Sequence, residues 1–240
     1  MSTNFQDRND EREQRTEKYL KTRKSVLLGL TALRPNLYAE SFANFTKEGV
    51  DTENATLCQW QRFIIHAQFQ AIKRDDLLVL QEICHHELNI GLVDSAALTA
   101  VNFGHIDSFQ VLLKYGADPD ATDNLYKTYL MICASCGRGE FTRLLCSLTK
   151  NINKKCKGEQ TCLMYAARYG QSECVQIIID AGVDVNLATH LDQTALTFAI
   201  VEEHFDCARA LCNAGAIYCH DAFPLKKDIL EAARANGVMI

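Results

Sequence analysis

A step of 33 residues constrains this chain more than any other feature. The stretch TCLMYAARYGQSECVQIIIDAGVDVN runs from Thr161 to Asn186. Moved by 33 residues, Thr161 falls on Thr128 and Ser95 upstream and on Thr194 downstream. The small residue Ala166 falls on Cys133, Ala100 and Ala199, and Gly170 falls on Gly137, Gly104 and Glu203. The apolar pair Ile178-Ile179 falls on Leu145-Cys146, Leu112-Leu113 and Leu211-Cys212. Gly182 falls on Gly215 and Thr149, with Gly116 one step further back. Size and polarity stay in register through four copies without an insertion. A period of this size marks an array of like supersecondary units, each of which buries its apolar face only against its neighbours.

Each copy reads as two short helices. A hydroxyl at Ser95, Thr128, Thr161 or Thr194 suits an N-cap, where it accepts a hydrogen bond from an unpaired backbone N–H of the first turn. Small residues such as Ala166-Ala167 then let a neighbouring helix approach closely. Gly104, Gly137 and Gly170 fall in the turn between the helices. The second helix carries Val175, Ile178 and Ile179 at i, i+3, i+4 spacing, which gives one apolar face. Gly116, Gly182 and Gly215 follow the second helices, where a left-handed residue closes the last turn. Asp184 and Asn186 open an extended loop to the next unit. With 12 glycines and 3 prolines in 240 residues, the composition also favours helix over a turn-rich β fold.

These residues resemble the ankyrin repeat family. The motifs that carry the likeness are AALTAVNFGHIDSFQVLLKYGADPD, TYLMICASCGRGEFTRLLCS, TCLMYAARYGQSECVQIIIDAGVDVN and TALTFAIVEEHFDCARALCNAGA, and they cover about 90–221 in full and 59–89 loosely. The resemblance implies an all-α ankyrin-repeat solenoid: stacked helix-turn-helix units with hairpin tips, plus a helical N-terminal extension. The implied division is an extension over 1–58, a degenerate capping repeat over 59–89, four repeats over 90–221 and a half repeat over 222–240.

The departures from the family pattern are specific. Tyr129, Cys162 and Ala195 stand where the family has a proline, which removes preorganisation and leaves the fold intact. Tyr126, Glu159 and Asp192 replace the glycine of the hairpin tip, and Thr149 replaces a C-cap glycine. A non-glycine left-handed residue costs roughly 1 kcal/mol. The helix end near Ser147–Asn151 is therefore expected to be strained, with Asn151 able to take the strain, and to be the least protected joint. At the far end, Asp228–Gly237 repeats the first-helix pattern without a second helix. The outer side of the preceding helix, around Ala208, Leu211 and Cys212, is expected to be only partly covered unless this last helix caps it. Near the start, Val26–Leu33 reads as an apolar helix that either packs on the cap or docks a partner, and Tyr38–Gly49 as a short amphipathic helix.

Composition narrows the function classes. Eleven scattered cysteines behind a charged opening segment suggest reduced thiols, hence a cytoplasmic or nuclear protein. Nothing approaches the run of about 18 apolar residues that spans a membrane. A net charge of −5 disfavours a nucleic-acid partner. The pair Cys133–Cys136 has redox spacing but lies inside a repeat's first helix, where Cys133 takes the small core position. A thiol-based redox or metal sensor using Cys133 and Cys136 is the alternative reading. Zinc would need a second ligand pair, and the candidates around Cys84-His85-His86, Cys207 with Cys212, and Cys219-His220 lie in different units. Asp51 opens a poor calcium loop, with Thr56 where glycine is required. No phosphate loop, nucleophile elbow or His-Glu metal motif occurs, so no enzyme, cofactor or metal is expected.

What remains is surface presented at regular spacing, and the resemblance implies that hairpin tips and first helices form a concave ankyrin surface where a chain that is monomeric alone binds another protein. The positions that vary within the family pattern are, at the tips, Leu125, Tyr126 and Lys127, then Lys157 and Gln160, then His190, Leu191 and Gln193. Late in the first helices they are Asn102 with Phe103, Ser135 with Cys136, Arg168 with Tyr169, and Val201 with Glu202. Phe103, Tyr126 and Tyr169 are the candidate aromatic anchors, because Tyr and Arg are enriched in interface hot spots. The basic run Lys154, Lys155 and Lys157 reads as a solvated turn rather than a docking contact.

Overall fold

The computed structural model describes residues 57–85, 90–218 and 225–240, and every regular element among them is a helix. The readings made for 1–56, including Val26–Leu33, Tyr38–Gly49 and the Asp51 loop, lie outside these residues, as do His86, Cys219 and His220. The chain divides into two compact units, Met1–Ala117 and Asp118–Ile240.

In the first unit, α1 (Leu57–Lys73) packs on α2 (Leu77–His85) and on α3 (Ile90–Phe103), while α4 (Ile106–Lys114) packs on α2 and α3. In the second unit, α5 (Tyr129–Ser135), α7 (Cys162–Arg168) and α9 (Ala195–Val201) form one layer of first helices. The second helices α6 (Gly139–Leu148), α8 (Ser172–Asp180) and α10 (Phe205–Asn213) form the other layer, each against its own first helix. A last helix, α11 (Lys227–Ala235), packs on α9.

The core follows the repeat. Ala100, Cys133, Ala166 and Ala199 are wholly buried, and so are Leu112, Leu145, Ile178 and Leu211 one helix later. The small set lets first helices lie close together, and each large aliphatic contributes about 2 kcal/mol by leaving water. Thr128, Thr161 and Thr194 each accept a hydrogen bond from the backbone N–H three residues on, at 3.3–3.4 Å. The N–H of Thr161 also reaches the Met164 sulfur at 3.4 Å, which makes the cap reciprocal.

Ser95 departs from this scheme. It lies within α3 and not at its cap, exposed on the helix surface, and its carbonyl accepts the Thr99 hydroxyl at 2.9 Å. The apolar spacing Val93, Ala96-Ala97, Ala100 runs through Ser95, so the helix continues upstream with it.

Gly170 shows why the inter-helix turn needs glycine twice over. Its φ is +70°, and an added Cβ would lie 2.8 Å from the His204 ring of the following repeat. Gly104 and Gly137 share the left-handed backbone, with φ of 85° and 72°. Asp75 and Glu203 adopt it without being glycine, at 53° and 59°. Gly116, Gly182 and Gly215 sit just past the ends of α4, α8 and α10, with φ of 92°, 80° and 86°.

Thr149 corrects the expectation of strain. Its backbone is extended, with φ −69° and ψ 138°, and Asn151 is not left-handed either. A carboxylate from the preceding loop takes over. Asp120 accepts a hydrogen bond from the Thr149 hydroxyl and another from the Lys150 N–H at 3.1 Å.

At the last repeat the closing segment supplies the cap, the second of the two expectations there, and of Ala208, Leu211 and Cys212 only Cys212 stays half-buried. Ala208 and Leu211 are wholly buried. The segment after α11 turns back at Gly237 and buries Val238. Arg209 donates to the Asn236 carbonyl at 2.9 Å, and the Cys212 thiol donates to the Met239 carbonyl at 3.6 Å.

Candidate protein-binding surface

Each hairpin tip of the second unit is built on the residue five before its threonine cap. In the first tip, Asp123 donates its N–H to the Lys127 carbonyl and accepts the N–H of Tyr126 on its own carbonyl, both at 3.0 Å. Its carboxylate also accepts from the N–H groups of Leu125 and Lys127, at 2.8 and 2.9 Å. Thr189 repeats the arrangement in the third tip, with its hydroxyl accepting from Leu191 and Gln193 at 3.3 Å. In the second tip Cys156 makes the same two backbone bonds, to Gln160 and from Glu159. Its thiol, however, lies 3.5 Å from the Tyr165 hydroxyl, buried within the repeat.

The residue at each apex is left-handed: Tyr126, Glu159 and Asp192 have φ of 58°, 59° and 56°. At the first and third apexes the side chain is exposed, while Glu159 is half-buried against Lys155. Tyr126 is 61% exposed, and its neighbour Leu125 is 52% exposed. In the third tip Leu191 reaches 70%, and Tyr169, just past the end of α7, reaches 54%. Large apolar groups stand in water on two tips and at the end of a first helix.

The other candidates divide by what they touch. Lys127 holds its ammonium 5.0 Å from the centre of the Tyr165 ring, half-buried as a cation–π contact. Lys157 is exposed, and its backbone N–H donates to the Leu125 carbonyl, which ties the second tip to the first. Gln160 serves its tip through its carbonyl. Arg168 lies 3.7 Å from Glu202 and 5.7 Å from the centre of the Phe198 ring. His190 stands 3.8 Å from Glu159, and Gln193 closes the third tip through its backbone. Asn102 and Phe103 belong to the first unit. Phe103 meets Phe69 edge-on at 5.7 Å and stacks on His105 at 6.1 Å, so part of its ring is taken up there.

For Lys154 and Lys155 the reading of a solvated turn is corrected, while the Lys157 side chain stays exposed. Lys154 donates to the Asp120 carbonyl at 3.3 Å, and Lys155 donates to the Ala188 carbonyl at 2.7 Å while pairing with Glu159 at 3.2 Å. These lysines staple one loop to the loops before and after it. Residues 120, 153 and 186 do similar work at the same 33-residue step. Asn153 accepts the N–H of Asp184, and Asn186 accepts that of Ile217, much as Asp120 accepts that of Lys150. An Asx residue at each of those positions was a signal in the sequence that the pattern of caps and glycines left unread.

Burial sets several of the thiols against reactivity. Cys133 is wholly buried, and loss of solvent pushes its thiol up to about 12, opposite to the direction that makes a nucleophile. Burial likewise pushes Cys162 up to about 12 and Cys84, Cys146 and Cys207 up to about 11. Cys136 is exposed at the end of α5. Among the described residues no group of three or more His, Cys, Asp or Glu side chains could hold a metal ion. Among them, too, no helix is long and apolar enough to cross a membrane.

A family model for ankyrin repeats in three copies matches residues 69–156, 94–189 and 148–222, which together cover more than half of the chain. The chain belongs to the ankyrin repeat family. Its all-α architecture of paired helices and hairpin tips is the ankyrin fold, and ankyrin repeats in general mediate contacts between proteins. The comparison with curated proteins yields no match.

Proposed function

We propose that this ankyrin repeat protein is a non-enzymatic interaction module, an adaptor, scaffold or regulatory subunit. It docks a partner protein on the tips and first-helix ends of its second unit. The observation that carries the reading is the outward set of Tyr126, Tyr169 and Leu191, each more than half exposed on a frame of buried helices and hydrogen-bonded tips. Burial of large apolar side chains already held in place yields binding energy with little loss of conformational entropy. Lys157, Arg168 and His190 form the polar surround, and Gln160 and Gln193 hold their tips in shape. Phe103 with Asn102 in the first unit is a separate, weaker candidate, because Phe69 and His105 already occupy part of the ring.

The test is affinity capture with the full chain beside two variants. One carries Tyr126→Asn, Tyr169→Ala and Leu191→Ala, with asparagine at 126 because it tolerates the left-handed backbone. The other carries Arg143→Ala and Gln176→Ala on the second helices. Partner proteins lost with the first variant and retained with the second support the reading. Equal recovery with both sinks it.

A further inference from the structure

The face assigned above carries its charges unevenly. From Leu187 to His204 the chain has Asp192, Glu202 and Glu203 and no lysine or arginine. The first two tips carry Lys127, Lys154, Lys155 and Lys157 against Asp123 and Glu159. Much of this is already balanced internally. Asp123 holds backbone N–H groups, Glu159 is shared by Lys155 and His190, and Arg168 faces Glu202. Lys157 on the second tip, Asp192 on the third and Glu203 after α9 are exposed and make no ion pair among the described residues. One unmatched positive charge on the second tip and two unmatched negative charges one repeat on are thus left, on the face that also exposes Tyr126, Tyr169 and Leu191.

We propose that this face binds an extended segment of a partner protein with a defined charge order. Its acidic residue lies at Lys157, an aliphatic or aromatic residue meets Tyr169, and its Lys or Arg lie at Asp192 and Glu203. The proposal rests on the interaction reading and adds the chemistry of the partner. Neighbouring helices in a layer lie about 8–10 Å apart, so the one repeat step from Lys157 to Asp192 spans roughly 10 Å. An extended chain rises about 3.3 Å per residue, which places the acidic and basic positions of the segment about three residues apart. The opposite charge order would set like charges against each other at both ends, which selects one direction of the chain.

Panning a phage library of random twelve-residue peptides on the folded full-length chain at low salt tests this. Enriched peptides are expected to carry Asp or Glu and Lys or Arg about three positions apart, beside an apolar residue. Binding of the selected peptides to Lys157→Glu is expected to fall roughly tenfold and to recover when the peptide's acidic residue becomes lysine. Asp192→Asn with Glu203→Asn removes the preference for the basic residue, and asparagine keeps both left-handed positions comfortable. Peptides without charge order, binding indifferent to these variants, or no enrichment at all overturns the proposal. The capture experiment with the Tyr126, Tyr169 and Leu191 variant is read separately, so the interaction reading stands or falls by its own result.

Discussion

The ends of α6 and α8 meet the same need by different means. Past α8 the chain turns left-handed at Gly182, where an added Cβ would meet nothing within 4 Å, and backbone freedom alone closes the helix. Past α6 the equivalent residue is Thr149, extended, and the Asp120 carboxylate of the preceding loop fastens its hydroxyl and the Lys150 N–H. The first solution is local and carried by one residue. The second is cooperative, because it exists only when two repeats are stacked. A repeat array can therefore lose a helix-ending glycine without loss of register, provided the neighbour supplies an acceptor at the right step.

Asp120→Ala is the strongest way to break this comparison. It removes two charge-assisted hydrogen bonds and is expected to cost about 2 kcal/mol in urea unfolding. Exchange of the Lys150 amide should accelerate while the amides of Val175–Ile179 keep their protection, and an unchanged Lys150 rate would show that Asp120 does not hold the joint. Thr149→Gly comes next, at about 1.5 kcal/mol, because the extended backbone has no use for glycine and the hydroxyl is lost. A rise in melting temperature for this variant would mean the glycine ending is accessible after all. Gly182→Ala should cost about 1 kcal/mol from the left-handed backbone alone. A much larger loss would reveal a close approach that the open space around Gly182 excludes. Lys154→Met, which removes one half-exposed staple to the Asp120 carbonyl, is expected to shift the unfolding free energy by about 0.5 kcal/mol.

The same contrast explains what could be read from the residues alone. Thr128, Thr161, Thr194 and the helix-ending glycines each act on their own neighbourhood in the chain, so a fixed step in the sequence exposes them. The buried set from Ala100 to Ala199 was legible for the same reason. Ser95 misled because the repeat step places a hydroxyl there while the local apolar spacing of Val93 to Ala100 favours an uninterrupted helix. The Asp120 brace joins residues 29 apart, and the return of Asn236–Met239 onto Arg209 and Cys212 joins residues 27 apart. Such contacts follow from stacking and have no local signature. The surface candidates were separable from the core by their place in the repeat, but not from one another. Nothing near Phe103 in sequence announces Phe69, and nothing near Lys127 announces the Tyr165 ring beneath it.

The three tip apexes at Tyr126, Glu159 and Asp192 hold a side chain where the backbone would rest more easily without one. Each departure from glycine is a tension of roughly 1 kcal/mol or less, smallest for aspartate. A chain bearing glycine at all three would outlast its parent on heating and present bare peptide to whatever approached. Thermal endurance and a legible outer face pull in opposite directions at these points, and the natural residues sit on the side of the outer face.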